Sequence, residues 1–68
     1  MMTELNQNIA PLDLQYEIKK LLGTQKKCAK HFKVTEGAIS GAINNDPLLK
    51  SLRIRIIEYL NTLKKQAA

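Results

Sequence analysis

The amino-acid sequence predicts an all-α fold, a small domain of four to five short helices. Apolar residues recur at spacings of three and four along most of the chain, as they do on the buried face of a helix. One stretch, residues 52–56, alternates as a strand would, but no second strand or hairpin turn follows it. The 68 residues leave room for one domain, and its apolar residues are mainly Leu, Ile and Ala, which favour helix.

The first predicted helix begins between Pro11 and Asp13, because Pro suits a first turn and Asp can cap it. Gly23 ends this helix as a C-terminal cap residue. We expect the polar, aperiodic residues 1–10 to form a flexible N-terminal tail. Four apolar residues share one face of the helix: Leu14, Ile18, Leu21 and Leu22.

Two short helices are predicted next, each with a threonine as its N-cap. Thr24 starts a helix that runs to about Phe32, and Thr35 starts one that runs to about Asn44. Lys33-Val34 forms a tight connection between them. The residues expected to face the core are Cys28, Ala29, Phe32, Ile39, Ala42 and Ile43.

The last predicted element is a long amphipathic helix that follows a turn at residues 44–47. Asp46 is its expected cap, Pro47 lies in its first turn, and it ends near Lys64. The single domain then covers residues 11–65, with a frayed C-terminus at residues 66–68. The apolar stripe of this helix is Leu49, Leu52, Ile56, Leu60 and Leu63.

The distribution of charge favours a polyanionic partner. The net charge is +5, and residues 19–33 contain six lysines and no acidic residue. A second basic stretch contains Lys50, Arg53 and Arg55.

Several functional classes are excluded by what the sequence lacks. One cysteine, no signal segment and no long apolar run lead us to expect a cytoplasmic protein with no membrane association. Cys28 and His31 have the spacing of two metal ligands, but a structural zinc needs four. We therefore expect no metal and no cofactor. The sequence has no nucleophile-elbow motif, no paired carboxylates and no Gly-rich phosphate loop. We therefore expect neither an enzyme nor a small-molecule ligand site.

Residues 25–44, QKKCAKHFKVTEGAISGAIN, have the pattern of a helix-turn-helix motif. Ala29 is the small residue that allows two helices to approach closely. Phe32, Val34 and Ile39 are placed to bury the apolar wedge that the helices share. The N-terminal residues of the second helix, from Thr35, would enter the major groove of DNA.

This segment resembles the corresponding stretch of phage Cro proteins and of the wider lambda-repressor-like group. The resemblance covers a third to a half of the chain and departs at Lys33, where the turn usually has Gly. Such a turn often needs a positive φ, which is costly for a residue other than glycine. It implies a lambda-repressor-like DNA-binding fold and a sequence-specific regulator of transcription, a repressor that acts as a homodimer on a near-palindromic operator. Helix 35–44 would then read the major groove.

The resemblance also implies which residues would contact DNA. The candidate base contacts are Thr35, Glu36, Gly37, Ser40, Gly41 and Asn44. The candidate phosphate contacts are Thr24, Gln25, Lys26, Lys27 and Lys30. For Glu36 we favour the alternative that it is a first-turn acid that interacts with the helix dipole. Gly37 and Gly41 either bring the helix close to the bases or only weaken it.

Two further questions stay open at the level of sequence. The last helix could share part of its apolar stripe with a second copy of the chain. The chief alternative function is a protein-interaction module, such as an antirepressor or an antitoxin-like partner, that keeps the scaffold without specific DNA binding. The absence of Lys and Arg from helix 35–44 is its main support.

Overall fold

A computed structural model describes residues 5–67, which contain helices and turns and no strand. The all-α prediction is confirmed. In chain order the elements are α1 (Pro11–Leu21), α2 (Gln25–Phe32), α3 (Glu36–Ile43), a 3-10 turn (Pro47–Leu49) and α4 (Lys50–Ala67).

The N-terminal ends of α2 and α3 are fixed by the two predicted threonine caps. Thr24 Oγ1 accepts a hydrogen bond from the Lys27 amide at 3.1 Å, and Thr35 Oγ1 accepts one from the Ala38 amide at 3.1 Å. Each satisfies a backbone donor that has no partner within its helix. Helix α1 has no side-chain cap: Ala10 precedes it and Asp13 lies inside its first turn, so the predicted cap at Asp13 is wrong.

Helices α2 and α3 pack against each other across a connection of three residues. Lys33 adopts the left-handed conformation, with φ of 58°. Its backbone N–H and that of Val34 bond back to the carbonyls of the last turn of α2, at Lys30 and Ala29. The positive φ that the sequence suggested at this non-glycine residue is confirmed.

The core draws on all four helices, and α4 supplies the largest share of its buried residues. Ile57 is fully buried although it was outside the predicted stripe of α4, because Ile56 and Ile57 both turn inward. The buried apolar residues are Leu14, Ile18, Cys28, Ala29, Ile39, Ala42, Ile43, Leu52, Ile56, Ile57 and Leu60.

Both chain ends have features that the sequence did not predict. Leu5 is held by Asn61, whose Oδ1 accepts from the Leu5 amide at 2.6 Å and whose Nδ2 donates to the Leu5 carbonyl at 3.3 Å. Ile9 packs against the core. These contacts tie two positions of the predicted tail to the fold, whereas its flexibility stays a prediction and residues 1–4 lie outside the described part. Helix α4 extends through Ala67, beyond its predicted end near Lys64. Fraying of residues 66–68 stays a prediction, and residue 68 lies outside the described part.

Candidate nucleic-acid interface

The outer surface of α2 carries a group of exposed lysines and no acidic residue. Lys26, Lys27 and Lys30 are all exposed, as is the cap residue Thr24. The Lys27 side chain lies back over the α1–α2 turn, since a Cβ placed on Gly23 would be 3.6 Å from its Nζ. Gln25 is half-buried and lines a small cavity of about 150 Å³ at this turn. The surface thus presents positive charge beside the N-terminal end of α2.

The N-terminal end of α3 presents a polar surface beside a small residue. Thr35, Glu36 and Gly37 are exposed and Ser40 is half-buried. A Cβ at Gly37 would meet only Thr35 Oγ1, at 3.8 Å, so the space in front of Gly37 is open. A surface of this kind can approach a partner closely.

Gly41 has a different environment from Gly37, although both were grouped as candidate base contacts. A Cβ at Gly41 would lie 2.5 Å from Leu49 Cδ1, well inside van der Waals contact. The glycine therefore makes room for the 3-10 turn that packs beside α3. Internal packing accounts for it, and we do not carry Gly41 forward as a base contact.

Asn44 is exposed at the C-terminal end of α3, but its side-chain amide is already engaged. Its Nδ2 donates to the Ser40 carbonyl of the same helix at 3.0 Å. An asparagine that reads adenine uses its amide N–H and its carbonyl oxygen together. Asn44 would have to break the bond to Ser40 before it could read a base in that way.

Arg53 was placed in the second basic stretch, but the structure buries it. Its Nη1 donates to the Ala42 and Ile43 carbonyls at 3.1 and 3.0 Å, and its Nη2 donates to the Ile9 carbonyl. The side chain is only 4% exposed, so it cannot be a surface contact to a polyanion. The sequence did hold a signal: position 53 lies three and four residues before the buried Ile56 and Ile57, on the inward face of α4.

Arg55 belongs to an aromatic cluster that joins the end of α2 to α4. The His31 and Tyr59 rings stack with centroids 4.2 Å apart, and the Phe32 ring meets both edge-on. The Arg55 guanidinium lies 5.7 Å from the centroid of the Phe32 ring, within reach of a cation–π interaction. Of the second basic stretch, only Lys50 and Arg55 are exposed.

Cys28 is a core residue, as the sequence predicted. It is fully buried on the inner face of α2. Desolvation raises the pKa of the Cys28 thiol to about 11, because burial disfavours the thiolate. The thiol is therefore protonated at neutral pH, and its reactive thiolate form is disfavoured.

Most of the apolar stripe of α4 packs against the core of its own chain. Leu52, Ile56 and Leu60 are buried within their own chain and have no surface to share with a second copy. The large apolar side chains that are exposed lie elsewhere: Leu12 is 78%, Tyr16 64% and Leu48 92% exposed.

The comparisons with known proteins found no matching family model, no curated protein and no solved structure with significant similarity to this chain. Within residues 5–67, no three His, Cys, Asp or Glu side chains are grouped so that they could hold a metal ion. Over the same range, no helix combines the length and the apolar character needed to cross a membrane.

Proposed function

We propose that this chain is a sequence-specific DNA-binding regulator of transcription, and that α2 and α3 form its helix-turn-helix motif. The observation that carries the proposal is the α2–α3 surface. Two eight-residue helices, each capped by threonine and joined by three residues, pack together beside an acid-free group of exposed lysines. This is the arrangement that such a motif requires.

In the proposed complex, α2 contacts the DNA backbone. Lys26, Lys27 and Lys30 supply positive charge to phosphates, and the backbone N–H groups that follow Thr24 face a phosphate at the positive end of the helix dipole. Gln25 lies at this end of α2, and its side-chain amide can donate a hydrogen bond to a phosphate. These contacts provide affinity and orientation without selecting a sequence.

Selection of sequence then falls to the N-terminal end of α3. Thr35 and Ser40 hydroxyls can donate to or accept from several bases, and Glu36 can accept from the N4 amino group of cytosine. The open space at Gly37 allows the helix backbone to approach the base edges. Asn44 contributes only after its amide leaves the Ser40 carbonyl.

One domain of this size contacts only a few base pairs, so we propose that a homodimer binds a near-palindromic operator. Two copies of α3 would then occupy successive major grooves about 34 Å apart. Bound at a promoter, the dimer would exclude RNA polymerase. Such a regulator would act in the cytoplasm of a bacterial host, as Cro-type repressors of phages and prophages do.

The first experiment is selection of binding sites from random duplex DNA at about 150 mM salt, which suppresses purely electrostatic binding. The proposal expects a palindromic motif. Gly37→Leu, placed in open space, should weaken binding to that motif about tenfold or more, since it obstructs close approach. Gln66→Leu, at an exposed position of α4, is the matched control and should leave affinity unchanged. Equal binding by the two variants would reject α3 as the reading helix.

The salt dependence of binding tests the role of α2. Lys26→Gln and Lys27→Gln should each reduce the slope of log affinity against log salt by about one and weaken binding to all sequences alike. Lys65→Gln carries the same change of charge at the far end of α4 and should leave the slope unaltered. A slope unchanged in all three variants would contradict phosphate contacts from α2.

A second candidate, a protein-interaction module on the same scaffold, is favoured by one observation. Helix α3 carries no Lys or Arg, and Glu36 places an acid where DNA would approach. This alternative predicts that the selection yields no motif and that residual DNA binding disappears as salt rises. It also predicts that charge reversal at Lys26 and Lys27 leaves function intact.

A further inference from the structure

A cavity of about 400 Å³, lined mainly by residues with polar or charged side chains, lies on the side of α4 where the N-terminal segment passes over it. Three separate parts of the chain meet there: the segment before α1, the turn after α3 and the first turns of α4. No carboxylate lines the cavity, although the chain has several acidic residues. The lining residues are Gln7, Asn8, Asn45, Lys50, Arg53 and Ile54.

The wall of the cavity holds an uncompensated positive charge. The Arg53 guanidinium is 4% exposed, and it is bonded to three backbone carbonyls but, within residues 5–67, to no carboxylate. Its Nε is buried without a hydrogen-bond acceptor. A buried cation without a counter-ion is costly, and an anion nearby would offset part of that cost.

The rim of the cavity supplies groups that can bind such an anion directly. Lys50 is exposed and contributes a second positive charge. Gln7, Asn8 and Asn45 are also exposed and carry amide N–H donors. Because Arg53 Nε lies below the accessible surface, Arg53 acts on a ligand through its charge, while Lys50 and the amides donate the hydrogen bonds.

We propose that this cavity is a binding site for a small oxyanion of the phosphate class. The ligand joins the N-terminal segment, the α3–α4 turn and α4, so its binding stiffens the attachment of α3 to the rest of the fold. The site does not rest on the proposed DNA binding. A phosphate in it could be a free ion or a group of a nucleic-acid backbone, and both present the same oxygens.

The test is a titration of the isotopically labelled full chain with inorganic phosphate, followed by NMR and matched in ionic strength by sodium chloride. The expected result is saturable shifts, in the millimolar range, at the amides of Gln7, Asn8 and Asn45 and at the Arg53 Nε–H. Shifts that chloride reproduces, or that centre on the lysines of α2, would overturn the proposal.

Two variants make the test specific. Lys50→Gln should weaken phosphate binding about tenfold, whereas Lys20→Gln makes the same change of charge at an exposed residue outside the cavity and should have no effect. Asn45 has a φ of 68°, so Asn45→Gly removes the amide at a position whose backbone suits glycine. It should weaken binding without unfolding the chain. Unchanged affinity in both Lys50→Gln and Asn45→Gly would reject the site.

Duplex DNA distinguishes the two sources of the anion. If the ligand is a backbone phosphate, duplex DNA shifts the same cavity signals and competes with inorganic phosphate. If it is a free ion, phosphate binds equally in the presence and absence of DNA. Should the chain bind no DNA at all, phosphate shifts at the cavity would still support this site while the proposed function failed.

Discussion

Two polar side chains of α4, those of Arg53 and Asn61, form hydrogen bonds much farther along the chain than the side chains that cap α2 and α3, whereas Thr62 of α4 bonds locally to the Glu58 carbonyl. Thr24, Thr35 and Asn44 each bond to a backbone group three or four residues away. In α4, Arg53 bonds to carbonyls 10, 11 and 44 residues away, and Asn61 bonds to Leu5 across 56 residues. The first set shapes individual helices, and the second holds the chain together.

This difference separates the surface available to a partner from the scaffold that carries it. In the part of the chain that the structure describes, Lys26, Lys27 and Lys30 form no ion pair, so their charges are not committed to the fold. Arg53 and Asn61 of α4 are committed to it. Substitutions of the α2 lysines should therefore alter DNA binding without altering stability, and substitutions of Arg53 and Asn61 should lower stability.

The largest expected effect is that of Arg53→Met. The substitution leaves the Ile43 and Ile9 carbonyls without a donor, and each buried acceptor left unsatisfied costs about 1–3 kcal/mol. The Ala42 carbonyl also loses Arg53 but still accepts from the Asn45 amide. We expect the free energy of unfolding, measured by urea denaturation, to fall by about 3 kcal/mol or more. Lys26→Met, the matched change on α2, should stay within about 0.5 kcal/mol of wild type.

Arg53→Lys sharpens this comparison because it keeps the charge. A lysine ammonium has three donors but lacks the planar fork that reaches three carbonyls at once, so we expect an intermediate loss. If Arg53→Met and Lys26→Met cost the same, the distinction between scaffold and available surface would be wrong.

The same division decides what the sequence could predict. The caps at Thr24 and Thr35 and the left-handed Lys33 follow from local chemistry, and all three were predicted correctly. The positions of Arg53, Leu5 and Ile9 depend on partners distant in the chain, and no local rule joins position 61 to position 5. Gly41 shows the same limit, because its neighbour Leu49 belongs to an element whose placement only the folded chain defines.

The second prediction concerns the inner face of α2, where the structure seals Cys28 in the core. In the folded protein the pKa of the Cys28 thiol is about 11, against 9.0 for an unperturbed thiol. The folded state therefore binds the proton more tightly than the unfolded state. The stability that this provides is complete below about pH 9 and is lost as the pH rises towards about 11.

We expect the free energy of unfolding to fall by roughly 2 kcal/mol between about pH 8 and about pH 11 from this group alone. Cys28→Ala isolates the contribution, because tyrosines and lysines titrate in the same range in both proteins. The measurement is urea unfolding of each at several pH values. If the free energies of unfolding of the two proteins change in parallel with pH, Cys28 is not shielded from solvent on the inner face of α2 as the structure indicates.

The smallest expected effect is the difference in stability between alanine substitutions at two glycines of α3, Gly37 and Gly41. Gly37 faces open space, so Gly37→Ala should gain helix propensity and raise stability by about 0.5–1 kcal/mol. Gly41→Ala gains the same propensity but brings Cβ within 2.5 Å of Leu49 Cδ1. The leucine must move, so this variant should fall about 1 kcal/mol below Gly37→Ala in thermal or urea unfolding.

A double-mutant cycle attributes that deficit to the contact with Leu49. Leu49→Ala removes the atom that an alanine at position 41 would meet, so Gly41→Ala should become as favourable in that background as Gly37→Ala is in wild type. A deficit that persists without the leucine would point to strain within α3 itself. Because Gly37→Ala leaves the fold intact, any loss of DNA affinity in that variant would then report on the surface that α3 presents to its partner.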